Sequence, residues 1–263
     1  MITSPANERI KQIRRLQERK ERTESGLFYL EGLRIVGEAV EAGAQLETLV
    51  TSPELLRSEF GQKLAAEQAR RGVAVLEVSA EVFQRLAQKD GPQGIAAVVR
   101  QNWTSLEEIQ IRPGQPWVAL DSIADPGNLG TILRTNDAAG GEGVILLDQS
   151  TDPYDPSAVR ASMGALFDQK IVRATFDEFS AWKRRGDWML VGTSGAAGQD
   201  YHACRYPDRL VVLMGSERQG LLPQHLELCD TVVSIPMLGK SDSLNLAVAT
   251  AVVLYELVNQ RRH

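Results

Sequence analysis

Three short stretches in the second half of the chain combine glycine or proline with one or two polar side chains. They are residues 128–134 (NLGTILR), 215–221 (GSERQGL) and 235–239 (IPMLG), the last followed by Ser243, Leu244 and Asn245. Glycine lets a backbone pass close to a ligand, while a few polar groups can carry out chemistry there. Two of the stretches lie where a predicted strand ends and a helix begins, which is where open α/β sheets bind ligands. Together they predict a binding site with reactive polar groups.

The first stretch places an arginine one helical turn after a glycine. Gly130 and Arg134 share a helix face, and side chains on a helix lean toward its N-terminus. We therefore expect the Arg134 guanidinium to reach back over Gly130 to the helix start, where Asn128 stands. The free N–H groups and the helix dipole suit an anion such as phosphate there. The alternative is a surface arginine paired with Asp137 or Asp125.

The other two stretches follow predicted strands. Gly215 and Glu217 come after the apolar run 210–214, and the backbone of such a loop can face a ligand; a plain strand-to-helix turn is the alternative. In the third stretch we expect Ser243 to cap the last helix. Asn245 would then lie in the first turn, where a buried amide needs a hydrogen-bond partner. The chain has no GxGxxG fingerprint, P-loop, zinc-ligand spacing or nucleophile elbow.

Alternating strands and helices must position these stretches. In the first hundred residues the pattern predicts a helix over 4–22, strands at 27–30, 46–51, 73–78 and 94–99, and helices at 32–42, 53–71 and 81–87. After a linker at 100–115 it predicts strands at 117–121, 143–147, 188–193, 210–214 and 231–235, and helices at 130–139, 157–163, 176–185, 222–228 and 244–260. This alternation predicts two α/β domains, residues 1–105 and 116–263.

The last predicted helix is apolar nearly all round. We therefore expect it to be buried on both sides and to lie in a subunit interface.

Composition indicates a globular protein, with 43% hydrophobic and 24% charged residues. No apolar run approaches the roughly 18–20 residues that would span a membrane, and the chain begins without a signal-peptide pattern, so we expect a cytoplasmic protein with no membrane partner. Cys204 and Cys229 lack metal-ligand spacing, and no metal is expected. We expect free buried thiols, with a disulfide as the alternative.

The net charge of −5 is unevenly distributed. Residues 1–105 carry +1 and residues 106–263 carry −6, while the first 22 residues hold seven basic and three acidic side chains. The basic ones are Arg9, Lys11, Arg14, Arg15, Arg19, Lys20 and Arg22. A basic arm suits a polyanionic partner. The alternative is a helix that merely packs on its own domain through Ile10, Ile13 and Leu16.

In this order, the three stretches closely resemble the SpoU (TrmH-type) family of RNA ribose 2′-O-methyltransferases, members of the SPOUT superfamily. The resemblance spans about 116–258 and includes 152–156 (DPYDP) and 159–165 (VRASMGA); residues 1–100 resemble the substrate-binding domain that precedes many of these enzymes. It implies a parallel-sheet catalytic domain with a deep trefoil knot formed by about 210–258. It also implies a homodimer that packs the knots together.

The resemblance further implies a cofactor and residue roles. S-adenosylmethionine would be held by Gly215, Ile235 and Leu244, with Leu213 and Met237 lining the adenine pocket. Arg134 matches the arginine assigned as general base or its organiser, with Asn128, Glu217, Ser243 and Asn245 around it. Arginine holds its proton too firmly to be a good base before substrate is bound, so we favour Arg134 as a phosphate anchor and alkoxide stabiliser.

Arg218 departs from the family pattern, because many members carry glycine after the glutamate of the second stretch. Either this loop does not need positive φ, which arginine resists, or Arg218 contacts an RNA phosphate. We expect methylation of a ribose 2′-hydroxyl in structured RNA, ribosomal rather than transfer RNA. The alternatives are a tRNA 2′-O-methyltransferase and an RNA-binding or ribosome-assembly protein without turnover.

Overall fold

The computed structural model describes residues 1–87 and 91–262, which form two compact units. The N-terminal unit comprises Met1–Gln101 together with Tyr154–Arg160, and the C-terminal unit comprises the rest of the described chain. The inserted segment belongs to the N-terminal unit through Tyr154, whose ring lies 4.7 Å from that of Phe28.

The N-terminal unit is a four-stranded sheet with helices. Its elements in chain order are α1 (Glu8–Arg15), α2 (Arg19–Ser25), β1 (Leu27–Glu31), α3 (Leu33–Glu41), β2 (Leu46–Thr51), α4 (Glu59–Arg70), β3 (Ala74–Glu77), α5 (Ala80–Leu86) and β4 (Ile95–Arg100). The strand order is β1-β4-β2-β3, with β4 antiparallel to β1 and β2, and β2 parallel to β3. Ile10, Ile13 and Leu16 pack on this sheet as part of its core.

The basic segment is not the single helix predicted over 4–22. Asn7 rather than Ser4 caps α1, because its side chain accepts the N–H of Arg9, and α1 ends at Arg15, with Leu16 as its C-cap, before α2 begins. Arg22 stabilises this break: its guanidinium donates to the main-chain carbonyl of Leu16 at 2.9 Å, one of the groups left free at a helix end. Similarly, α4 begins at Glu59 and not at the predicted residue 53, since Ser58 supplies its cap.

The C-terminal unit is built on a seven-stranded sheet. Its elements are β5 (Trp117–Asp121), α6 (Pro126–Ala138), β6 (Gly143–Leu147), α7 (Pro156–Ser162, mostly in the inserted segment), β7 (Lys170–Ala174), α8 (Phe176–Arg185), β8 (Met189–Thr193), β9 (Gln199–Asp200), β10 (Leu210–Met214), α9 (Pro223–Leu228), β11 (Thr231–Ser234) and α10 (Leu246–Arg261). The order is β7-β6-β5-β10-β8-β11-β9, and every pairing is parallel. The predicted α/β class with a parallel sheet is confirmed.

Several elements of the C-terminal unit were not predicted. They include β7, β9 and a single turn of 3₁₀ helix at Leu106–Glu108 within the linker; another is the 3₁₀ turn at Ala165–Phe167. Lys170 and Arg173 interrupt the apolar pattern of β7, and β9 is two residues long. Both are edge strands, so neither needs the continuous apolar sequence of a central strand.

The last helix, α10, packs against α6. Leu246, Val253 and Leu254 lie on its buried side. The prediction that it is buried on both sides is wrong for the single chain, because Val248 and Tyr255 are 48% and 52% exposed.

Within the described ranges, no helix has both the length and the apolar character needed to cross a membrane. The same residues contain no group of three or more His, Cys, Asp or Glu side chains placed to hold a metal ion, and both cysteines are free.

Candidate functional site

The parallel sheet brings two of the three sequence stretches to one edge. Strand β10 pairs directly with β5, with Met214 opposite Leu120. Because parallel strands end at the same edge of a sheet, the loop after β5 and the loop after β10 leave it side by side. The first leads into α6 and the second carries Gly215 and Glu217.

The helix of the first stretch begins earlier than predicted. Asp125 caps α6: its carboxylate accepts the N–H of Asn128 at 2.6 Å, and Pro126 occupies the first turn. Asn128 therefore lies inside the first turn, and its side chain is not the one that caps the helix.

Glu217 joins the second stretch to the first. Its carboxylate accepts the N–H of Ala124 at 3.1 Å and that of Asp125 at 3.3 Å, and the amide of Asn128 donates to it at 3.3 Å. Partial desolvation would raise the pKa of Glu217, but these bonds, with one from its own N–H, lower that pKa below its usual range. Glu217 is therefore an ionised acceptor that fixes the loop, not a proton donor at neutral pH.

Asn245 joins the third stretch to the same network. Its side-chain N–H group donates to Asn128 Oδ1 at 2.9 Å. Its Oδ1 accepts the N–H groups of Ala247 at 2.9 Å and Val248 at 3.3 Å, so Asn245 is itself the cap of α10. The prediction that Ser243 caps this helix is wrong. The hydrogen-bonded set Glu217, Asn128 and Asn245, here called the three-loop network, links all three stretches.

Two of the expected catalytic residues lie outside this network. Ser243 is exposed, and its hydroxyl donates to Asp242 at 3.0 Å. Arg134 is also exposed; within residues 1–87 and 91–262 its guanidinium makes no hydrogen bond or ion pair, so the alternative pairing with Asp137 or Asp125 does not occur. Arg134 is therefore available to an incoming anion.

The loop after β10 needs glycine at two positions. A Cβ added at Gly215 would lie 2.1 Å from the carbonyl carbon of Gly220 and 2.3 Å from the nitrogen of Leu221. Gly220 itself has a φ of +65°. Arg218 is not among the described residues with positive φ, so this loop does not need glycine at that position.

The expected S-adenosylmethionine contacts fit the loops with one exception. Gly215 supplies a backbone without a side chain, while Ile235 and Met237 are half-buried and Leu244 is 38% exposed, so apolar surface remains for an adenine ring. Leu213 cannot line that pocket with its side chain, which is fully buried in the core of the C-terminal unit. Only its backbone can contribute.

The seven basic residues of the first segment are not equivalent. Arg9, Arg14 and Arg15 are exposed and make no side-chain hydrogen bond or ion pair within the described chain, although Lys11 and, to a smaller degree, the charge of Arg15 lower the pKa of Glu8; Arg19 is also exposed. Lys11 and Lys20 form surface ion pairs with glutamates on the same helices. Arg22 is only 2% exposed and bonds to carbonyls, so its prediction as an RNA contact is wrong. Arg218 is exposed, and its side chain makes no hydrogen bond or ion pair with residues 1–87 and 91–262.

The sequence analysis missed two buried side chains next to this site. Asp121 is the last residue of β5 and His225 lies in the first turn of α9; both are below 6% exposed, and His225 Nδ1 is 3.5 Å from Asp121 Oδ2. One available signal was the position of His225 three residues after Leu222, where capping boxes carry Glu or Gln.

Asn245→Ala is expected to lower both stability and activity. The change removes the α10 cap and leaves Asn128 Oδ1 without its donor, a loss of about 1–3 kcal/mol in the free energy of unfolding. Thermal melting and methyl transfer should be measured beside Asn259→Ala, an exposed asparagine on the same helix. Full activity with an unchanged melting temperature would remove Asn245 from the site.

Comparison with known sequences gives two family matches. The SpoU rRNA Methylase family matches residues 115–255, and an MRM3-like substrate binding domain matches residues 7–97. A 23S rRNA (uridine(2479)-2'-O)-methyltransferase of Streptomyces viridochromogenes is 33% identical over 94% of this chain and 87% of its own length. A 23S rRNA (guanosine(2553)-2'-O)-methyltransferase of Bacillus subtilis is 29% identical over 97% of this chain and 98% of its own.

Solved structures agree with these matches. An AdoMet-bound rRNA methyltransferase from Sinorhizobium meliloti superposes with a TM-score of 0.91 at 38% identity, covering 98% of this chain and 97% of that one. The SpoU methyltransferase AviRb from Streptomyces viridochromogenes, in complex with AdoMet, gives 0.87 at 32% identity, covering 97% of this chain and 98% of the other.

Proposed function

The chain belongs to the SpoU rRNA methylase family, and on that premise we propose that it transfers a methyl group from S-adenosylmethionine to a ribose 2′-hydroxyl of ribosomal RNA. The observation that carries this proposal is the three-loop network, which holds the three family stretches together through Glu217, Asn128 and Asn245. The relatives named for this reaction act on 23S rRNA, and that RNA is the substrate proposed here.

The residues of the chain have to align the nucleotide and allow its 2′-hydroxyl group to lose its proton. Bound S-adenosylmethionine supplies a methyl group that its sulfonium already activates. The 2′-hydroxyl would have to lie in line with that methyl group; the new C–O bond would replace the methyl–sulfur bond, leaving S-adenosylhomocysteine, and the hydroxyl proton would pass to water. Arg134 lies on α6, the helix that carries Asn128, and makes no hydrogen bond or ion pair with the described residues; we assign it to the RNA phosphate and to the developing negative charge on the 2′-oxygen. Ser243 and Arg218 are assigned to the RNA side of the site.

The cofactor assignment rests on the loops after β10 and β11. S-adenosylmethionine would be held by Gly215, Ile235 and Leu244. Met237 would pack against the adenine, and the backbone of Leu213 would line the same pocket. The knot is part of the same proposal: residues from about 210 to 258 would thread it, since the chain returns after β11 to place Asn245 against Asn128 at the start of α6. We also propose a cytoplasmic location, which agrees with a reaction on ribosomal RNA.

Incubating the protein with total RNA and methyl-labelled S-adenosylmethionine tests the function. We expect label in 23S rRNA from cells that lack this protein. Label in tRNA alone would support the tRNA methyltransferase instead. Tight rRNA binding without label in any RNA would support a ribosome-assembly protein that does not turn over.

RNA affinity should depend on the exposed arginines of α1. Arg9, Arg14 and Arg15 are exposed, while Ile10, Ile13 and Leu16 are buried, so α1 both packs on its unit and presents charge. Each neutralised phosphate contributes about 0.7–0.9 to the salt slope of log affinity. Changing all three arginines to glutamine should lower the slope by up to about 2–3 and leave cofactor affinity intact.

Filter binding at several salt concentrations measures this slope. The matched control changes Arg57, Arg70 and Arg71, which are exposed on the same unit, and removes the same charge. An unchanged slope in the α1 variant, or an equal drop in the control, would reject α1 as an RNA contact. Deleting residues 1–22 would be a poor test, because it also removes buried core side chains.

We propose that the protein is a homodimer through α10 and the loop before it. Leu244, Val248 and Tyr255 expose apolar surface along this segment, and such a patch favours association. Tyr255→Glu should give a monomer by light scattering at micromolar concentration. Phe60→Glu is the control, because Phe60 is an equally exposed aromatic of the N-terminal unit. An active wild-type monomer would contradict the proposal.

A further inference from the structure

A buried histidine and a buried aspartate face each other where β5 ends and α9 begins. His225 is 1% exposed and Asp121 is 5% exposed, and 3.5 Å separates His225 Nδ1 from Asp121 Oδ2. The imidazole also meets the ring of Phe176 edge-on, with centroids 4.3 Å apart. Burying two ionisable side chains costs free energy. A buried pair of this kind therefore usually has a structural or functional role.

The same imidazole nitrogen also holds the end of the second loop. His225 Nδ1 accepts the N–H of Leu222 at 3.2 Å, and Leu222 is the residue that precedes α9. A bare Nδ1 accepts from Leu222, whereas a proton on Nδ1 would be donated to Asp121. Both contacts involve the same nitrogen, so the imidazole holds Leu222, and with it the start of α9, only while Nδ1 carries no proton.

The loop from Gly215 to Leu222 is therefore fixed at two points against residues 121–125. Glu217 accepts the N–H groups of Ala124 and Asp125, and His225, which lies beside Asp121, accepts the N–H of Leu222 through an unprotonated Nδ1. Gly215 lies directly against the backbone of Gly220 and Leu221, since a Cβ built on Gly215 would be 2.1 Å from the carbonyl carbon of Gly220. A shift of Leu222 would consequently move the backbone at Gly215.

We propose that His225 and Asp121 are positioning residues that set the shape of the cofactor loop 215–222. This inference rests on the proposed function, since it assigns that loop to S-adenosylmethionine. It predicts that the pair governs cofactor affinity and contributes little to the methyl-transfer step itself, because neither side chain reaches the solvent-exposed reaction site.

The test compares His225→Leu, which removes the acceptor for Leu222, with His225→Asn, whose Oδ1 retains an acceptor near Nδ1. Calorimetry with S-adenosylmethionine should show a dissociation constant raised by about tenfold or more for His225→Leu and within about threefold of wild type for His225→Asn. The KM for S-adenosylmethionine should rise in parallel while kcat stays within about threefold. His202→Leu, an exposed histidine near α10, should bind as wild type does.

A His225→Leu protein that binds S-adenosylmethionine with wild-type affinity, whatever its melting temperature, would overturn the proposal. If this variant does not fold, Asp121→Asn provides the second measurement, with several-fold weaker binding expected and unchanged binding as the contrary result. Wild-type protein that binds no S-adenosylmethionine would instead defeat the proposed function.

Discussion

Arg134→Ala is expected to reduce methyl transfer by about 10²–10³ or more while S-adenosylmethionine affinity stays within a few-fold of wild type. The reason is that one set of residues holds the loops together while Arg134 is left to contact the RNA. Glu217, Asn128 and Asn245 bond to one another and hold the loops. Arg134 takes no part in that network and keeps an exposed guanidinium for the RNA phosphate and the reacting oxygen.

Single-turnover transfer to rRNA and calorimetry with S-adenosylmethionine measure the two effects separately. Arg184→Ala is the matched control, since Arg184 is an exposed arginine on α8 without a side-chain partner in the described chain. Loss of cofactor binding in Arg134→Ala would show that the division of roles is wrong. Near wild-type transfer would remove Arg134 from the reaction.

Gly215→Ala should cost most of the cofactor affinity. The added methyl group would lie 2.1–2.4 Å from backbone atoms of Gly220 and Leu221, and backbone cannot move aside as a flexible side chain can. The loop must therefore open, and the contacts it offers S-adenosylmethionine move with it. We expect the dissociation constant to rise by at least about tenfold.

Gly198→Ala is the control for this substitution, because nothing lies within 4 Å of a Cβ built at Gly198 and its φ is not positive. Calorimetry on both variants gives the comparison. Equal cofactor affinity in Gly215→Ala and wild type would show that the loop is not part of the cofactor site.

The sequence predicted the buried strands of the sheet best. Strands β5, β6 and β10 have the predicted bounds, because each is a short, mainly apolar and fully buried run between turn residues. Helix starts were less predictable. Several polar residues near each start could act as the cap, and the tertiary contacts that select Asn7, Asp125 and Asn245 are not visible in the sequence.

The site residues that the resemblance supplied could be predicted from the sequence. The role of a residue could not be predicted where it depends on whether the side chain is buried. Glu217, Asn128 and Asn245 were grouped correctly before the fold was known. Arg22 was grouped with exposed arginines, since a buried arginine that bonds to carbonyls looks the same in sequence. His225 and Asp121 meet only because β5 and α9 meet, and nothing local in the sequence pairs them.

The central claim is that this chain methylates the ribose 2′-oxygen of ribosomal RNA. The most direct measurement labels 23S rRNA with the protein and methyl-labelled S-adenosylmethionine, then hydrolyses the RNA with alkali. A 2′-O-methyl group blocks cleavage of the next phosphodiester bond, so we predict that the label is recovered in an alkali-resistant dinucleotide and is absent with Arg134→Ala. Label recovered in single nucleotides would place the methyl group on a base and contradict this account.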